Sequence, residues 1–370
     1  MTEGPDITFV LGTRPEIIKL APVIRECEDR SLTRSIIHTG QHYDESLDLV
    51  FFDQLALPEP THHLEVGSST HGRQTGEMII RIEEILRRER PDTLLVQGDT
   101  NSVLAGAIAA SKLDIDLGHV EAGLRSDDRT MPEETNRVLT DHASDYLFAP
   151  TEQSRARLRS ERIPDERIYV TGNTIVDAVE QNRTLAAQRS AVLAEYDLVP
   201  GRYCLLTAHR AETIDDEQRF GDLLTGVGRV ASHLEREVVY PIHPRAAKSL
   251  EAFDLDVPDG IRIVEPQNYL DFLSLEDAAS LVLTDSGGVQ EEACILGVPS
   301  VTLRESTERP ETIDVGANRL VGTDPAAIVE GADEMIDRDG EWTNPFGNGT
   351  AATQILDTIT GAERREVSPK

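Results

Sequence analysis

Short apolar runs rich in β-branched residues alternate with amphipathic helical segments along almost the whole chain. In the first half these runs begin at Ile7, Ser35, Thr93, Asp116, Tyr146 and Ile168. In the second half they begin at Tyr203, Glu237, Ile261, Leu281 and Ser300. Segments such as EMIIRIEEILRRE, from Glu77, lie between the runs and repeat their apolar residues at helical spacing. This alternation predicts parallel β-sheets joined by crossover helices, an α/β fold.

The two series of runs predict two doubly wound, Rossmann-like domains, since 370 residues exceed what one core usually organises. A polar stretch over 181–201 separates the series. We place the junction near the predicted helix that follows Thr171-Gly172-Asn173, and predict an N-terminal domain over 1–172 and a C-terminal domain over 173–349. The sequence TAATQILDTITGA predicts a helix over 350–362 that packs back on the first domain. If the domains face each other, the polar residues at their strand ends line one cleft.

The net charge of −31 limits the partners of this chain. Such an acidic surface repels nucleic acids and anionic membranes, so neither is expected as a partner. No apolar stretch approaches the ~18 residues that span a bilayer, and no basic segment precedes the first run, so no signal peptide is predicted. Lysine occurs only at Lys19, Lys112, Lys248 and Lys370. Acidity combined with few lysines favours a protein of a high-salt cytoplasm over an ordinary acidic protein.

The cysteines argue against disulfides and against a metal site. Cys27, Cys204 and Cys294 lie far apart, and neither their number nor their spacing fits a disulfide framework or a metal-binding motif. This pattern suits a reducing cytoplasm. We predict a cytoplasmic protein without an essential metal.

The segment LTDSGGVQEEA, from Leu283, is the clearest candidate phosphate site. A strand ends, Ser286, Gly287 and Gly288 form a turn, and a helix begins near Val289. Glycines let the backbone approach an anion, and the helix N-terminus offers N–H groups to it. Glu292, one turn into the helix, could accept hydrogen bonds from ribose hydroxyls. A plain glycine-rich turn explains Ser-Gly-Gly equally well, and the absence of a G-x-G-x-x-G motif gives no support to a nicotinamide cofactor.

Basic side chains also follow predicted strands. Arg14 and Lys19 come after the first strand at helical spacing, where they could clamp a pyrophosphate or simply face solvent. The scarcity of lysine favours the clamp. His209 and His243 end two strands of the second half. Either could be a core histidine, or could donate a hydrogen bond to a departing phosphate oxygen.

Three carboxylates are candidates for proton transfer. Asp99 and Glu121 end neighbouring strands, and Glu133 lies near the start of a helix in MPEETNR. Each also has a structural explanation: Asp99 could cap the helix from Asn101, and Glu133 could provide favourable charge at a helix start. Their grouping near a predicted phosphate site favours acid–base chemistry.

Ten segments in register carry a family resemblance. They are GTRPEIIKLAPV, TGQHYD, QGDTNSVLAGAIAA, GHVEAGLRS, PEETNR, TGNTIVDA, TAHRAE, YPIHP, LTDSGGVQEEA and TERPETI. Together they resemble the non-hydrolysing UDP-N-acetylglucosamine 2-epimerases over roughly residues 7–325. The resemblance implies the GT-B fold, a homodimer, a UDP-sugar substrate and no redox cofactor. It also implies interconversion of UDP-N-acetylglucosamine and UDP-N-acetylmannosamine through elimination and re-addition of UDP.

The resemblance assigns roles to the candidate residues. It implies acid–base work for Asp99, Glu121 and Glu133. It implies that the substrate and the leaving diphosphate are contacted by Arg14, Lys19, Arg137 and His209. The diphosphate turn is Ser286, Gly287 and Gly288, with Glu292 at the ribose and Arg309 as a further cleft residue. Phe272 would lie beside the uracil, although a helix-core role explains this phenylalanine too.

One segment departs from the family pattern. Members regulated by their own substrate carry a Gln-His-Arg-type segment where this chain has Gln41-His42-Tyr43-Asp44. The departure makes allosteric activation doubtful and moves the chain toward relatives that act on diacetamido uronic acid nucleotides. The same residues could also serve a hydrolysing 2-epimerase, a GT-B glycosyltransferase or a non-catalytic UDP-sugar-binding protein. Product analysis and deuterium exchange at C2 distinguish these functions.

Overall fold

The computed structural model describes residues 4–40 and 45–361. They form two compact units, each built on its own parallel sheet. The first unit runs to Ala178 and takes in the chain again from Phe346, and the second is Val179–Pro345. The units therefore divide inside a helix, whereas the predicted boundary between 172 and 173 lies just before that helix.

The first unit contains a seven-stranded sheet. Its strands are β1 (Ile7–Leu11), β2 (Arg34–His38), β3 (His62–His63), β4 (Thr93–Gln97), β5 (Asp116–Val120), β6 (Tyr146–Ala149) and β7 (Ile168–Val170). They are ordered β3-β2-β1-β4-β5-β6-β7, and every pair is parallel. The winding reverses between β1 and β4, so the residues after these two strands flank a topological switch point, where ligands of open α/β sheets bind.

Helices cover this sheet. They are α1 (Arg14–Asp29), α2 (Glu45–Gln54), α3 (His71–Glu89), α4 (Asn101–Ala110), α5 (Pro132–Ala143), α6 (Glu152–Ser160) and, from the returning chain, α16 (Ala351–Thr360). Helix α7 (Thr174–Arg189) begins in the first unit and continues into the second. Apolar residues of α3 and α4, including Met78, Ile82 and Val103, pack on Val10 and Val96 of the sheet. Helix α16 packs against α1, where Arg30 Nη1 lies 2.7 Å from Asp357 Oδ1.

The second unit contains a six-stranded parallel sheet of order β10-β9-β8-β11-β12-β13. Its strands are β8 (Tyr203–Thr207), β9 (Glu237–Pro241), β10 (Ile261–Val264), β11 (Leu281–Thr284), β12 (Ser300–Thr302) and β13 (Asn318–Leu320). Its helices are α8 (Val192–Glu195), α9 (Ala211–Ile214), α10 (Glu217–Leu234), α11 (Pro244–Ala252), α12 (Tyr269–Asp277), α13 (Gly287–Leu296), α14 (Pro310–Asp314) and α15 (Pro325–Ile336). The winding reverses between β8 and β11, which places the ends of these strands at the second switch point.

The predicted α/β class and the two doubly wound units are confirmed. Every apolar run that the sequence predicts to be a strand contains one, while the edge strands β3 and β13 were not predicted. Both are short, and their sequences, His-His and Asn-Arg-Leu, lack a β-branched residue. Among the described residues, no helix combines the length and apolar character that crossing a membrane requires.

Candidate active site

The loop from β1 to α1 is held by a buried carboxyl group. Glu16 accepts hydrogen bonds from the Gly12 N–H at 2.6 Å, the Thr13 N–H at 2.8 Å and the Thr100 hydroxyl. Burial raises the pKa of Glu16 to about 7, although these hydrogen bonds oppose the shift. A Cβ atom on Gly12 would clash with the side chains of Thr39 and Ser102, so only glycine fits there. The loops that follow β1 and β4 are thus tied to each other.

Glu121 directly follows β5 and is surrounded by donors. Lys19 Nζ lies 2.6 Å from Glu121 Oε1, and the Asn173 amide donates to the same oxygen at 2.9 Å. The Gln97 amide donates to Oε2. Lys19, predicted to clamp a diphosphate, is therefore ion-paired with a predicted proton carrier. The backbone of Glu121 has φ 69°, a left-handed conformation that is uncommon outside glycine and is often found at functional sites.

Asp99 follows β4 and pairs with a second predicted substrate-binding cation. Arg137 Nη2 lies 2.5 Å from Asp99 Oδ2. The competing interpretation of Asp99 as a helix cap is wrong. Thr100 caps α4, because its hydroxyl accepts from the N–H groups of Ser102 and Val103. Asp99 and Glu121 thus follow adjacent strands, and each is paired with a predicted substrate-binding cation.

At the start of α5, two neighbouring glutamates have different environments. Glu133 is partly exposed, as expected for a helix start. Glu134 is buried and was not predicted as a site residue. Burial raises the pKa of Glu134, but hydrogen bonds from Ser126, Arg137 and the Asp127 N–H outweigh it and lower the pKa. Arg137 Nη1 lies 2.9 Å from Glu134, so Glu134 orients the arginine that pairs with Asp99.

A buried histidine connects the ends of β4 and β5. His119 Nδ1 lies 2.6 Å from Asp141 Oδ1, and Nε2 lies 2.8 Å from the Gly98 carbonyl oxygen. Asp141 also pairs with Arg125 at 2.7 Å. Burial raises the pKa of Asp141, but the charges and hydrogen bonds of His119 and Arg125 outweigh it and hold the pKa below its usual range. None of His119, Asp141 and Arg125 was predicted as a site residue, because they lie in separate segments of the chain.

Arg14 lies at the first position of α1 and is exposed. Its guanidinium carbon is 5.8 Å from the centre of the Phe51 ring. This position, beside the switch point of the first sheet, leaves the guanidinium accessible to an anion.

In the second unit, the predicted phosphate turn follows β11. Ser286 precedes α13, which begins at Gly287 rather than near Val289. A Cβ on Gly287 would have its nearest neighbour at 3.7 Å, and one on Gly288 at 4.0 Å. Neither glycine has a positive φ. Within the unit, therefore, nothing requires glycine at these two positions, and their effect is to leave the N–H groups of the helix start open to a ligand.

The two predicted histidines lie close together beside this turn. The rings of His209 and His243 are 5.8 Å apart. Asp285, fully buried and not predicted as a site residue, accepts from the N–H groups of His209 and Arg210 at 2.7 and 2.8 Å. Its other oxygen, Oδ1, lies 3.1 Å from His209 Nδ1 at ion-pair distance but without hydrogen-bond geometry, so Asp285 places a buried carboxylate beside the ring.

His243 has a structural role as well. It precedes α11, and its Nδ1 accepts from the Arg245 N–H at 3.1 Å. Partial desolvation, followed by the nearby His209 and Arg245, lowers the pKa of His243. A neutral ring suits its function as an acceptor at this helix start.

The remaining predicted residues also belong to the second unit. Glu292 on α13 is buried and accepts from the Tyr269 hydroxyl at 3.0 Å. Phe272 on α12 is partly buried against the core cluster that includes Leu275, which agrees with a role in the helix core. Arg309 Nε lies 2.7 Å from Glu291 Oε1. Among the described residues, no group of three or more histidine, cysteine, aspartate or glutamate side chains is arranged to hold a metal ion.

The two parallel-sheet units define the class of protein, an α/β protein of the GT-B type. A glycosyltransferase from Rickettsia africae has the same fold, with a TM-score of 0.55 and 12% identity over 97% of this chain and 95% of its own. At this identity the likeness concerns the fold alone.

More similar relatives specify the family. A family model for UDP-N-acetylglucosamine 2-epimerase matches residues 25–360. The UDP-N-acetylglucosamine 2-epimerase of Methanocaldococcus jannaschii is 51% identical over 96% of this chain and 98% of its own. A solved structure of the enzyme from that organism has a TM-score of 0.88 at 49% identity, covering 96% and 99% of the two chains. This chain belongs to the UDP-N-acetylglucosamine 2-epimerase family.

Proposed function

We propose that this protein interconverts UDP-N-acetylglucosamine and UDP-N-acetylmannosamine without releasing the free sugar. The observation that carries the proposal is the pair of carboxylates after adjacent strands, Asp99 and Glu121, each held by a cation. Inversion at C2 requires a base on one face of the sugar and an acid on the other, so two separately held carboxylates suit it. A solved structure of the M. jannaschii enzyme contains UDP-N-acetylglucosamine and UDP.

The proposed reaction begins with elimination. The C1–O bond to UDP breaks, and a carboxylate takes the proton from C2, which yields 2-acetamidoglucal and UDP. The C2 proton is weakly acidic until positive charge grows at C1, so stabilising the departing UDP also promotes its removal. UDP then adds back to C1 while an acid delivers a proton to the other face of C2. We assign Asp99, Glu121 and Glu133 to these proton transfers.

Features of the second unit support a role in holding the leaving group. The open start of α13 at Ser286, Gly287 and Gly288 offers N–H groups and the positive end of a helix dipole to a diphosphate. We also propose that His209, a partly exposed side chain beside this helix start, donates to a phosphate oxygen. We assign substrate contacts in this unit also to His243, Phe272, Glu292 and Arg309.

Cations of the first unit complete the assignment. We propose that Arg14, Lys19 and Arg137 contact the substrate. An ammonium has three N–H donors, so the ion pair of Lys19 with Glu121 is compatible with a contact to phosphate. Lys19 would then contact both the negatively charged leaving group and Glu121, the proposed proton carrier.

A modified sugar is the second candidate substrate. The UDP-2,3-diacetamido-2,3-dideoxy-D-glucuronate 2-epimerase of Pseudomonas aeruginosa is 38% identical over 95% of this chain and 99% of its own. The departure from the family pattern at 41–44 favours this candidate, although that segment lies outside the described residues. The elimination chemistry would be the same.

Proton NMR in heavy water tests the proposal. Purified protein with UDP-N-acetylglucosamine should give UDP-N-acetylmannosamine carrying deuterium at C2, with UDP still attached. Free N-acetylmannosamine as the main product would indicate a hydrolysing enzyme. If neither product appears in high or low salt, the diacetamido uronic acid nucleotide is tested in the same way, and exchange with it would establish the modified substrate.

The compartment, the oligomeric state and the pathway of this protein are proposed as well. We infer a cytoplasmic homodimer of a high-salt cell that supplies precursors for polysaccharide biosynthesis. Three free buried cysteines agree with a reducing compartment, and exposed Ile80 and Leu139 on helices of the first unit are available to a second copy. The charge of −31 agrees with a saline interior. Full stability after dialysis into very dilute buffer would contradict the saline part.

A further inference from the structure

Asn173 lies where the chain leaves and re-enters the first unit. It immediately precedes α7, the helix along which the chain passes into the second unit after Ala178. The Asn173 N–H donates at 2.9 Å to the carbonyl oxygen of Phe346, the residue at which the chain returns. One turn further along α7, Asp177 accepts from the N–H groups of Ala351 and Ala352 at 3.3 and 3.0 Å. The outgoing and returning segments are thus fastened together within the first unit.

The side chain of Asn173 has one permitted orientation. Its Oδ1 accepts from the Ile175 N–H at 3.1 Å, so the amide NH₂ must point the other way. There it donates to Glu121 Oε1 at 2.9 Å. Reversing the amide would set its oxygen against the carboxylate and its NH₂ against the Ile175 N–H, and both hydrogen bonds would be lost. Because Asn173 is only 4% exposed, hydrogen bonds to water would not replace the two that are lost.

Glu121 depends on such partners for its direction. Its φ of 69° is unfavourable for glutamate, so the surrounding contacts have to hold this conformation. Lys19 contributes charge to Glu121 Oε1, but a lysine ammonium is a point charge on a flexible stem and gives little directional control. The planar amides of Asn173 and Gln97 both give direction to Glu121 without adding charge, and that of Asn173 is itself fixed at its oxygen end by the Ile175 N–H.

We propose that Asn173 is a positioning residue for Glu121, and that it links the orientation of this carboxylate to the segments joining the first unit to the rest of the chain. The inference rests on the proposed function, in which Glu121 carries a proton to or from C2. Asn173 does not touch the reacting atoms. Its amide donates to Oε1, so this hydrogen bond can persist when a proton on Oε2 competes with the Gln97 donor there.

The test is the variant Asn173→Asp in the full-length protein. It keeps the oxygen that accepts from Ile175 but replaces the donor with a second carboxylate oxygen facing Glu121. We expect kcat for epimerisation to fall by about tenfold to a hundredfold, with KM for UDP-N-acetylglucosamine within about twofold. The limb of the pH–rate profile that reports Glu121 should move to higher pH, because a second negative charge beside Glu121, which the Lys19 ammonium opposes, favours the protonated form. If Asn173→Asp does not fold, Asn173→Ala should show the same fall in kcat at unchanged KM.

A matched control separates positioning from stability. Asp177→Ala removes the neighbouring hydrogen bonds to the N–H groups of Ala351 and Ala352, so we expect Tm to fall by about 3 °C while kcat stays within about twofold. Glu121→Gln separates the inference from the proposed function. If Glu121→Gln abolishes turnover while both Asn173 variants keep the wild-type kcat, the positioning role is overturned and the proposed function stands. If Glu121→Gln turns over normally, both are overturned.

Discussion

Replacing the buried Glu16 by glutamine should flatten the pH dependence of folding stability. Glu16 is 2% exposed, and burial raises its pKa from 4.5 to about 7 against the opposing hydrogen bonds from Thr100, Gly12 and Thr13. Between these two pH values the unfolded chain has lost the proton while the folded protein keeps it. The folded state then binds more protons, so stability falls as pH rises.

The sign and size of the effect follow from the two pKa values. The contribution of Glu16 to stability is complete below pH 4.5 and is lost as pH rises through about 7. The whole shift corresponds to about 3 kcal/mol, of which about 2 kcal/mol is lost between about pH 5.5 and 8.5. Glutamine has no proton to lose in this range. If placing the glutamine NH₂ against the Thr100 hydroxyl lowers folding stability, it should do so equally at about pH 5.5 and about pH 8.5.

The effect on folding stability can be measured by urea unfolding at a fixed salt concentration. The wild-type protein and Glu16→Gln are compared at about pH 5.5 and at about pH 8.5. The other titrating groups are common to both proteins, so they cancel when the two pH dependences are subtracted. We expect the wild type to lose about 2 kcal/mol more than the variant on going to the higher pH. Equal losses in the two proteins would show that Glu16 is ionised throughout, and that burial does not dominate its environment.

Three further predictions concern the candidate site. Asp99→Asn and Glu121→Gln should each lower kcat by at least about a hundredfold while UDP affinity, measured by calorimetry, stays within about threefold; near-normal turnover in both would remove them from the chemistry. Gly288→Ala should weaken UDP binding at least about tenfold and leave stability unchanged or higher by up to about 1 kcal/mol, since a Cβ there meets only Ser286 Oγ at 4.0 Å. Unaltered UDP affinity in this variant would place the diphosphate elsewhere. Asp285→Asn should lower kcat at least about tenfold with the circular dichroism spectrum intact, because it removes the carboxylate charge that lies 3.1 Å from His209 Nδ1; a wild-type rate would mean that His209 needs no charge beside it.

The sequence was sufficient to predict the sheets and the strand ends that carry polar residues. A buried parallel strand needs a continuous apolar run, and each such run stood out against the amphipathic helices. The edge strands β3 and β13 were missed because pairing with a neighbour, rather than their own composition, makes them strands. After β4, the interpretation of Asp99 as a helix cap was wrong because the next residue, Thr100, also of a capping type, occupies that position.

The partners of the candidate residues were not predictable in the same way. Asn173 and Glu121 are 52 residues apart, and His209 and Asp285 are 76 apart. Periodicity shows which side of an element faces the core, but not which distant polar groups meet there. Similarly, Glu133 and Glu134 are adjacent and alike in the sequence, and only the packing of α5 makes one buried and the other partly exposed.

The return of α16 to the first unit bears on how the protein is made. A ribosome releases the chain from its N-terminus, and the second unit, Val179–Pro345, is continuous in sequence. That unit can fold as soon as its last residue has emerged. The first unit cannot make its last contacts until α16 is synthesised, because Asp357 of α16 pairs with Arg30, which directly follows α1, and Asp177 caps the start of α16. The half of the protein that is synthesised first is therefore completed last, and Asp99 and Glu121 lie in that half.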